Sequence, residues 1–135
     1  MLVTGKEVVA WVYEPLGGAV NDSSSGLGWL NSDGCLVGGF VVEGWKGSNA
    51  WVHQRQEGRT GREFWYAMAD WVFNQLDCKR ITGPVADSNQ RAIELNKNIG
   101  FEHEATLRGA AYDGTDLHLM VLWKENCRML NWGKK

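Results

Sequence analysis

Along the chain the apolar positions change period several times. Val8, Val9, Trp11, Val12 and Leu16 recur at helical spacing from Thr4 or Gly5 to a stop at Gly17-Gly18. The same residues also read as a strand through Val8–Tyr13. Pro15 suits neither interior, and the helix is the preferred reading. Asn21–Gly26 (NDSSSG) is loop chemistry. Two strand-like runs follow, Leu27–Asn31 and Cys35–Glu43, joined by Ser32-Asp33-Gly34, a hairpin signal. Gly38-Gly39 within the second run points to a bulge or to a close approach by another group. After a turn at Trp45–Ser48, Asn49–Gln54 alternates as a third strand, with Ala50, Val52 and Gln54 on one side and Trp51 and His53 on the other.

The period then changes. Gln54–Thr60 is polar and carries Gly58, and Thr60-Gly61-Arg62-Glu63 has the T-x-x-E form of a capping box. From Thr60, Phe64, Met68, Trp71, Val72 and Leu76 predict a helix to about Asp77. Arg80–Val85 reads as a short strand closed by Pro84. A second helix capped by Asp87 or Ser88 carries Ala92, Ile93, Leu95 and Ile99 and stops at Gly100. Phe101–Leu107 and Leu117–Trp123 are the last strands, and Lys124–Trp132 is a terminal turn or short helix. The order (α)-β-β-β-α-β-α-β-β places one parallel crossover in a mostly antiparallel α/β sheet of about six strands.

Composition narrows the function classes. The length of 135 residues fits a single domain, with roughly two-thirds of the unfolded surface buried on folding. A net charge of −2 with the two signs interspersed argues against nucleic-acid binding through the overall field. No run approaches the roughly 18 apolar residues of a membrane span, and MLVTGKEVVAWV lacks the basic flank and apolar core of a signal peptide. Cys35, Cys78 and Cys127 have no metal or redox spacing, so reduced thiols in a cytoplasm are expected. The eight Trp are read first as core and surface filler; Trp-bearing strands leave a homodimer open.

Two local features carry chemistry. Backbone N–H groups over Gly58–Arg62, aligned with the dipole of the following helix, form an anion site, to which Arg59 and Arg62 add charge. The plainer reading is an ordinary capped helix start, with Glu63 filling the same end. His53 is the candidate base, with Glu43, Asp113 and Asp116 as alternative groups for directing an amine or a water.

Asn89, Ala92, Leu95 and Gly100-Phe101 reproduce N-x-x-A-x-x-L-x-x-x-x-G-F, and Glu104-Ala-Thr-Leu-Arg108 follows as E-x-x-L-R. The set, preceded by RITGPV, resembles the GNAT-fold N-acetyltransferases, in particular small proteins of that type often encoded by tailed bacteriophages. The likeness spans about residues 50–130, and more weakly the hairpin at 27–42. It implies a GNAT fold with an abbreviated N-terminal part. It also implies acetyl-CoA as cofactor and direct transfer to a primary amine of a small molecule or protein, without metal. By the same resemblance, the cofactor-binding set is Val52, Gln54, Arg55, Gly58, Arg59, Thr60, Gly61, Arg62 and Asn89, and the catalytic set is His53 and Asn96. Two departures stand out. Thr60 replaces the last small residue of the family's R/Q-x-x-G-x-G/A loop. Asn96 stands four residues before Gly100, where many members place a tyrosine general acid, and an amide cannot titrate. A CoA-binding or protein-interaction module without turnover is the competing reading.

Overall fold

The computed structural model describes residues 1–16 and 25–132. The expected helix stop at Gly17-Gly18 and positions 21–24 of the expected loop Asn21–Gly26 lie outside them, while Ser25 and Gly26 open a strand instead, pairing with Val42 and Val41. Strand β1 (Leu2–Thr4) precedes α1 (Lys6–Tyr13), followed by β2 (Ser25–Leu30), β3 (Leu36–Lys46) and β4 (Asn49–Gln56). After α2 (Arg62–Ala69) come β5 (Arg80–Ala86), α3 (Gln90–Asn98), β6 (Glu102–Leu107) and β7 (Leu117–Trp123). The sheet has seven strands in the order β1-β2-β3-β4-β5-β7-β6. The extra strand, β1, is three residues long and pairs Leu2–Thr4 with Trp29–Leu27; a run that short carries no period of its own. Among the described residues only β4 and β5 run parallel, which is the predicted crossover.

The two faces of the sheet are covered differently. On one, α1 sets Val8, Val9 and Val12 over a strip from which side chains are absent. A Cβ on Gly28 would stand 2.9 Å from Val8 Cγ2, and one on Gly39 2.5 Å from Val12 Cγ2. The glycine pair in β3 therefore marks a close approach. Gly39 admits α1, and across the sheet Gly38 admits the Thr60 methyl, 2.4 Å from where its Cβ would be. On the opposite face the main core joins Phe40, Val42, Ala50, Val52, Ile81, Met120 and Leu122 to Phe64, Met68 and Phe73, with Ile93 from α3 and Ile99 just after it. Burying a residue of this size contributes about 1.5–3 kcal/mol relative to exposure.

Four local expectations are corrected. The helix after the polar loop begins at Arg62 with Gly61 as its N-cap and no side-chain cap, because Thr60 is packed against Gly38 instead. It ends as an α-helix at Ala69 and continues as a π-helical turn, Asp70–Gln75, whose Asp70 carboxylate accepts from Asn74 at 2.8 Å and Gln75 at 2.9 Å. Asn89, rather than Asp87 or Ser88, caps α3, its Oδ1 accepting from the Ala92 N–H at 3.2 Å. Finally, Pro84 does not close β5; it sits opposite Leu119, and β5 continues to Ala86. There β5 has a ladder on one side only, the edge-like setting that tolerates proline.

Candidate active site at the strand splay

β4 and β5 are in register for only three pairs, Asn49↔Arg80, Ala50↔Ile81 and Trp51↔Thr82. Beyond these, β4 stays with β3 as far as Gln56, and β5 stays with β7 as far as Ala86. The right-handed twist of a sheet separates two parallel strands that nothing holds together, and the strands part into a V. A cleft of about 210 Å³ lies at its mouth, and its lining includes Val12, Gln54, Arg55, Gln56, Asn89 and Arg91. A larger hollow of about 540 Å³ lies on the far edge beside Thr4, Ser25 and Trp71, and holds none of the candidate catalytic or cofactor-binding residues.

The pleat of β4 divides the predicted residues between the two faces. Val52 is buried on the cleft face with Gln54 and Gln56, whereas His53 and Arg55 face α1. Arg55 is held there by two hydrogen bonds and a ring contact. Its Nε donates to Glu57 (2.8 Å), its Nη1 to the Trp11 carbonyl (2.8 Å), and its guanidinium lies 4.2 Å from the centroid of the Trp11 ring. It ties α1 to β4 and also lines the rim of the cleft.

At the loop before α2, the Glu57 and Gly58 N–H groups both donate to Val37 O, at 2.8 and 3.0 Å. Gly58 therefore serves as a close contact with β3, where a Cβ would meet Val37 at 3.0 Å, and its N–H is not available. The N–H groups of Arg59, Thr60, Gly61 and Arg62 have no hydrogen-bond partner among the described residues. These four donors lie at the positive end of α2, where an anion is favoured. Arg59 is exposed; Arg62 is exposed and stacks at 5.2 Å on Trp132. Gly61 lies against the Trp29 indole, 3.2 Å from a would-be Cβ. Asn89 completes the far wall of the cleft from the start of α3.

Asn96 is 3 % exposed. Its Oδ1 accepts from Gln54 Nε2 at 2.5 Å and its Nδ2 donates to Met120 Sδ at 3.7 Å, so the amide joins β4, α3 and β7 across the splay. Gln54 Oε1 and Gln56 Nε2 are buried without a partner. A buried polar atom left unpaired costs about 1–3 kcal/mol, and both atoms belong to side chains of the cleft wall. The cleft thus offers an amide-lined wall with Arg55 and Arg91 in its lining, and the unpaired N–H groups before α2 follow directly on the end of β4; amide and cationic groups suit the amide-bearing arm and the phosphates of acetyl-CoA.

On the α1 face His53 meets two partners. Its Nε2 is 2.6 Å from Glu43 Oε2, and its ring lies edge-on to Tyr13 with centroids 5.3 Å apart. Glu43 sits diagonally across β3–β4, next to the bulge between Val42 and Gly44. The sequence suggested each residue separately; the bulge brings them together. A carboxylate on Nε2 fixes the proton there and leaves Nδ1 as the basic nitrogen. Asp113 and Asp116 are turn formers instead. Asp113 accepts from Ser88 (2.5 Å) and from the Thr115 hydroxyl and N–H, which hold its carboxyl down at about 2, and Asp116 accepts from the Gly109 N–H. The remaining histidines form a cluster that the sequence did not announce. The bulge between His103 and Ala105 turns His103 to the side of Thr106 and His118, with Nε2–Nδ1 at 3.2 Å, and His118 Nε2 bonds Asp87 at 2.8 Å. Among the described residues no three His, Cys, Asp or Glu side chains are placed to hold a metal, and no helix is long and apolar enough to cross a membrane.

No family model matches the chain, and no curated protein matches it. Solved structures do. A variant of the spermidine N-acetyltransferase SpeG from Vibrio cholerae superposes with a TM-score of 0.66 at 17% identity, covering 96% of this chain and 80% of that one. A chimera of the same enzyme with hSSAT also gives 0.66, at 16% identity over 94% and 82%. The Vibrio cholerae spermidine/spermine N-acetyltransferase SpeG in complex with manganese ions gives 0.63, at 16% identity over 90% and 76%. At such identities the likeness is one of architecture, and with the seven-stranded order, the single parallel pair and the splay it establishes that the chain has the GNAT fold.

Proposed function

We propose that this protein is an acetyl-CoA-dependent N-acetyltransferase acting on a primary amine of a small molecule or protein. The observation that carries the reading is the splay of β4 from β5, followed in the chain by four unpaired N–H groups at the start of α2. The bound cofactor supplies an activated acetyl thioester. The Arg59–Arg62 amides hold its phosphates, Val52 and Gln54 flank its arm, and Asn89 closes the far side. The acceptor enters from the α1 face, which carries His53. As a neutral amine nitrogen bonds to the acetyl carbon, the carbon–sulfur bond breaks. His53 Nδ1 takes the proton released from nitrogen, and Glu43 stabilises the resulting imidazolium. Asn96, an amide bound to Gln54 and Met120, would supply no proton to the sulfur side, which would be left to solvent. The spermidine acetyltransferases of the same fold make polyamines a sensible part of an amine panel, and the free thiols accord with a reducing, cytoplasmic setting.

Isothermal titration of the protein with acetyl-CoA tests this reading. Saturable binding is expected, and none at millimolar cofactor sinks it. The second reading, a module that binds CoA or a protein without turnover, draws on Asn96, buried and hydrogen-bonded where an acid would be. Binding of acetyl-CoA with no thiol release across amines, polyamines and Lys-containing peptides would favour it.

A further inference from the structure

The two unpartnered amide atoms of β4 have opposite character. Gln54 Oε1 is an acceptor and Gln56 Nε2 a donor, both buried, in side chains two residues apart on the cleft face of one strand. Both are held in place. Gln54 cannot turn to satisfy its own oxygen, because its Nε2 is bound to Asn96 Oδ1 at 2.5 Å and Asn96 is in turn anchored to Met120. The Gln56 amide lies over Gly38, its Oε1 2.9 Å from where a Cβ would stand. Side chains at i and i+2 of a strand are separated by about 6.6 Å along it. A native fold leaves few such atoms unpaired, and a fixed pair beside a cleft points to a ligand that completes them.

We infer that Gln54 and Gln56 are a side-chain recognition pair for the secondary amides of the cofactor arm. Gln54 Oε1 accepts from one amide N–H and Gln56 Nε2 donates to one amide carbonyl. Asn96 acts as the positioning residue that keeps Gln54 turned outward. The two amides of a pantetheine arm are joined through two methylenes, a reach of the same order as the i, i+2 spacing. The asparagine at position 96 thus has a role that needs no titratable proton: it orients the acceptor that holds the arm. This inference rests on the acetyl-CoA reading and adds the side chains that make the cleft selective for an amide-bearing chain over a bare nucleotide.

The test compares CoA with adenosine 3′-phosphate 5′-diphosphate, which keeps the phosphates and lacks the arm, by calorimetric titration of wild type, Gln54→Met, Gln56→Met and Asn96→Leu. Each variant is expected to lose about five- to thirtyfold in CoA affinity while binding the nucleotide as wild type does. Thermal unfolding adds a readout that a merely structural role would not give. Gln56→Met removes a buried unpaired donor, so its melting temperature is expected to hold or rise even as CoA affinity falls. Gln54→Met strands Asn96 Oδ1 and is expected to melt lower. Wild-type CoA affinity in both glutamine variants, or equal losses for CoA and nucleotide, overturns the inference and leaves the acetyl-CoA reading standing. Failure of wild type to bind either ligand overturns both.

Discussion

His53 is the residue on which turnover depends in the proposed reaction, and its geometry sets what its loss should look like. Glu43 occupies Nε2 and leaves Nδ1 as the other ring nitrogen. His53→Ala is expected to lower kcat at least tenfold while leaving the acetyl-CoA dissociation constant within twofold. Steady-state kinetics beside calorimetry checks both, and an unchanged kcat dismisses the base role. Glu43→Gln keeps a hydrogen-bond acceptor but not the charge, so a smaller loss in kcat is expected. The cysteines give a second prediction at this scale. Cys78 and Cys127 are buried, and burial pushes both thiols up, while Cys35 is exposed on the β2–β3 turn. Mass spectrometry after brief treatment with a maleimide should find one adduct, on Cys35, and three only after denaturation; early labelling of Cys127 would contradict the packing.

At the scale of elements, the close contact of α1 with the sheet is the most exacting. Gly39→Ala puts a methyl 2.5 Å from Val12 Cγ2 and 3.2 Å from the Trp11 ring, and an overpacked site of this kind costs about 1–3 kcal/mol. Gly44, in the same strand, has nothing within 4 Å of a would-be Cβ. Urea unfolding of the two alanine variants should separate them, Gly39→Ala destabilised and Gly44→Ala near wild type; equal midpoints would mean that α1 does not sit where the glycines admit it. Asn89→Ala removes the α3 cap, a loss of about 1 kcal/mol, and opens the cleft wall, so both stability and CoA affinity should fall. The helix patterns for α1 and α3 and the strand alternation of β4 were readable from apolar spacing. The caps were not. Thr60 has the right residue type and spacing for a cap, but its methyl is drawn to Gly38, a contact with β3 that no local pattern contains. The π-helical turn was equally hidden, because it depends on Asp70 finding Asn74 and Gln75 together.

For the whole molecule, acid sensitivity follows from carboxylates spread over three elements. Asn74 and Gln75 lower Asp70, Arg80 lowers Glu104, and Ser88 with Thr115 lowers Asp113 to about 2. Each binds its proton less readily folded than unfolded. Their contribution to stability is therefore full above the ordinary carboxylate range near 4 and is lost as pH falls through the folded values. Melting temperature should decline between about pH 4 and pH 2, and Asp113→Asn should flatten that decline; a variant with the wild-type slope would rule out the Ser88–Asp113 tie as a source. This tie also joins the β6–β7 turn to the segment that holds Asn89 over the cleft, so the site and the fold share it. The sequence by itself determined the element order, the parallel crossover and the Asn89–Phe101 motif, because these depend on spacing along the chain, which periodicity reads directly. It also singled out His53, Glu43 and Asn96 as separate residues. Only the tertiary structure decided which of them meet. A bulge sets Glu43 against His53, the splay lets Gln54 reach Asn96, and the pleat of β4 lays Arg55 against Trp11 of α1 at the rim of the cleft that Gln54 lines. Those contacts join strands and helices distant in sequence, and their energies come from burial and pairing that exist only once the sheet has closed around them.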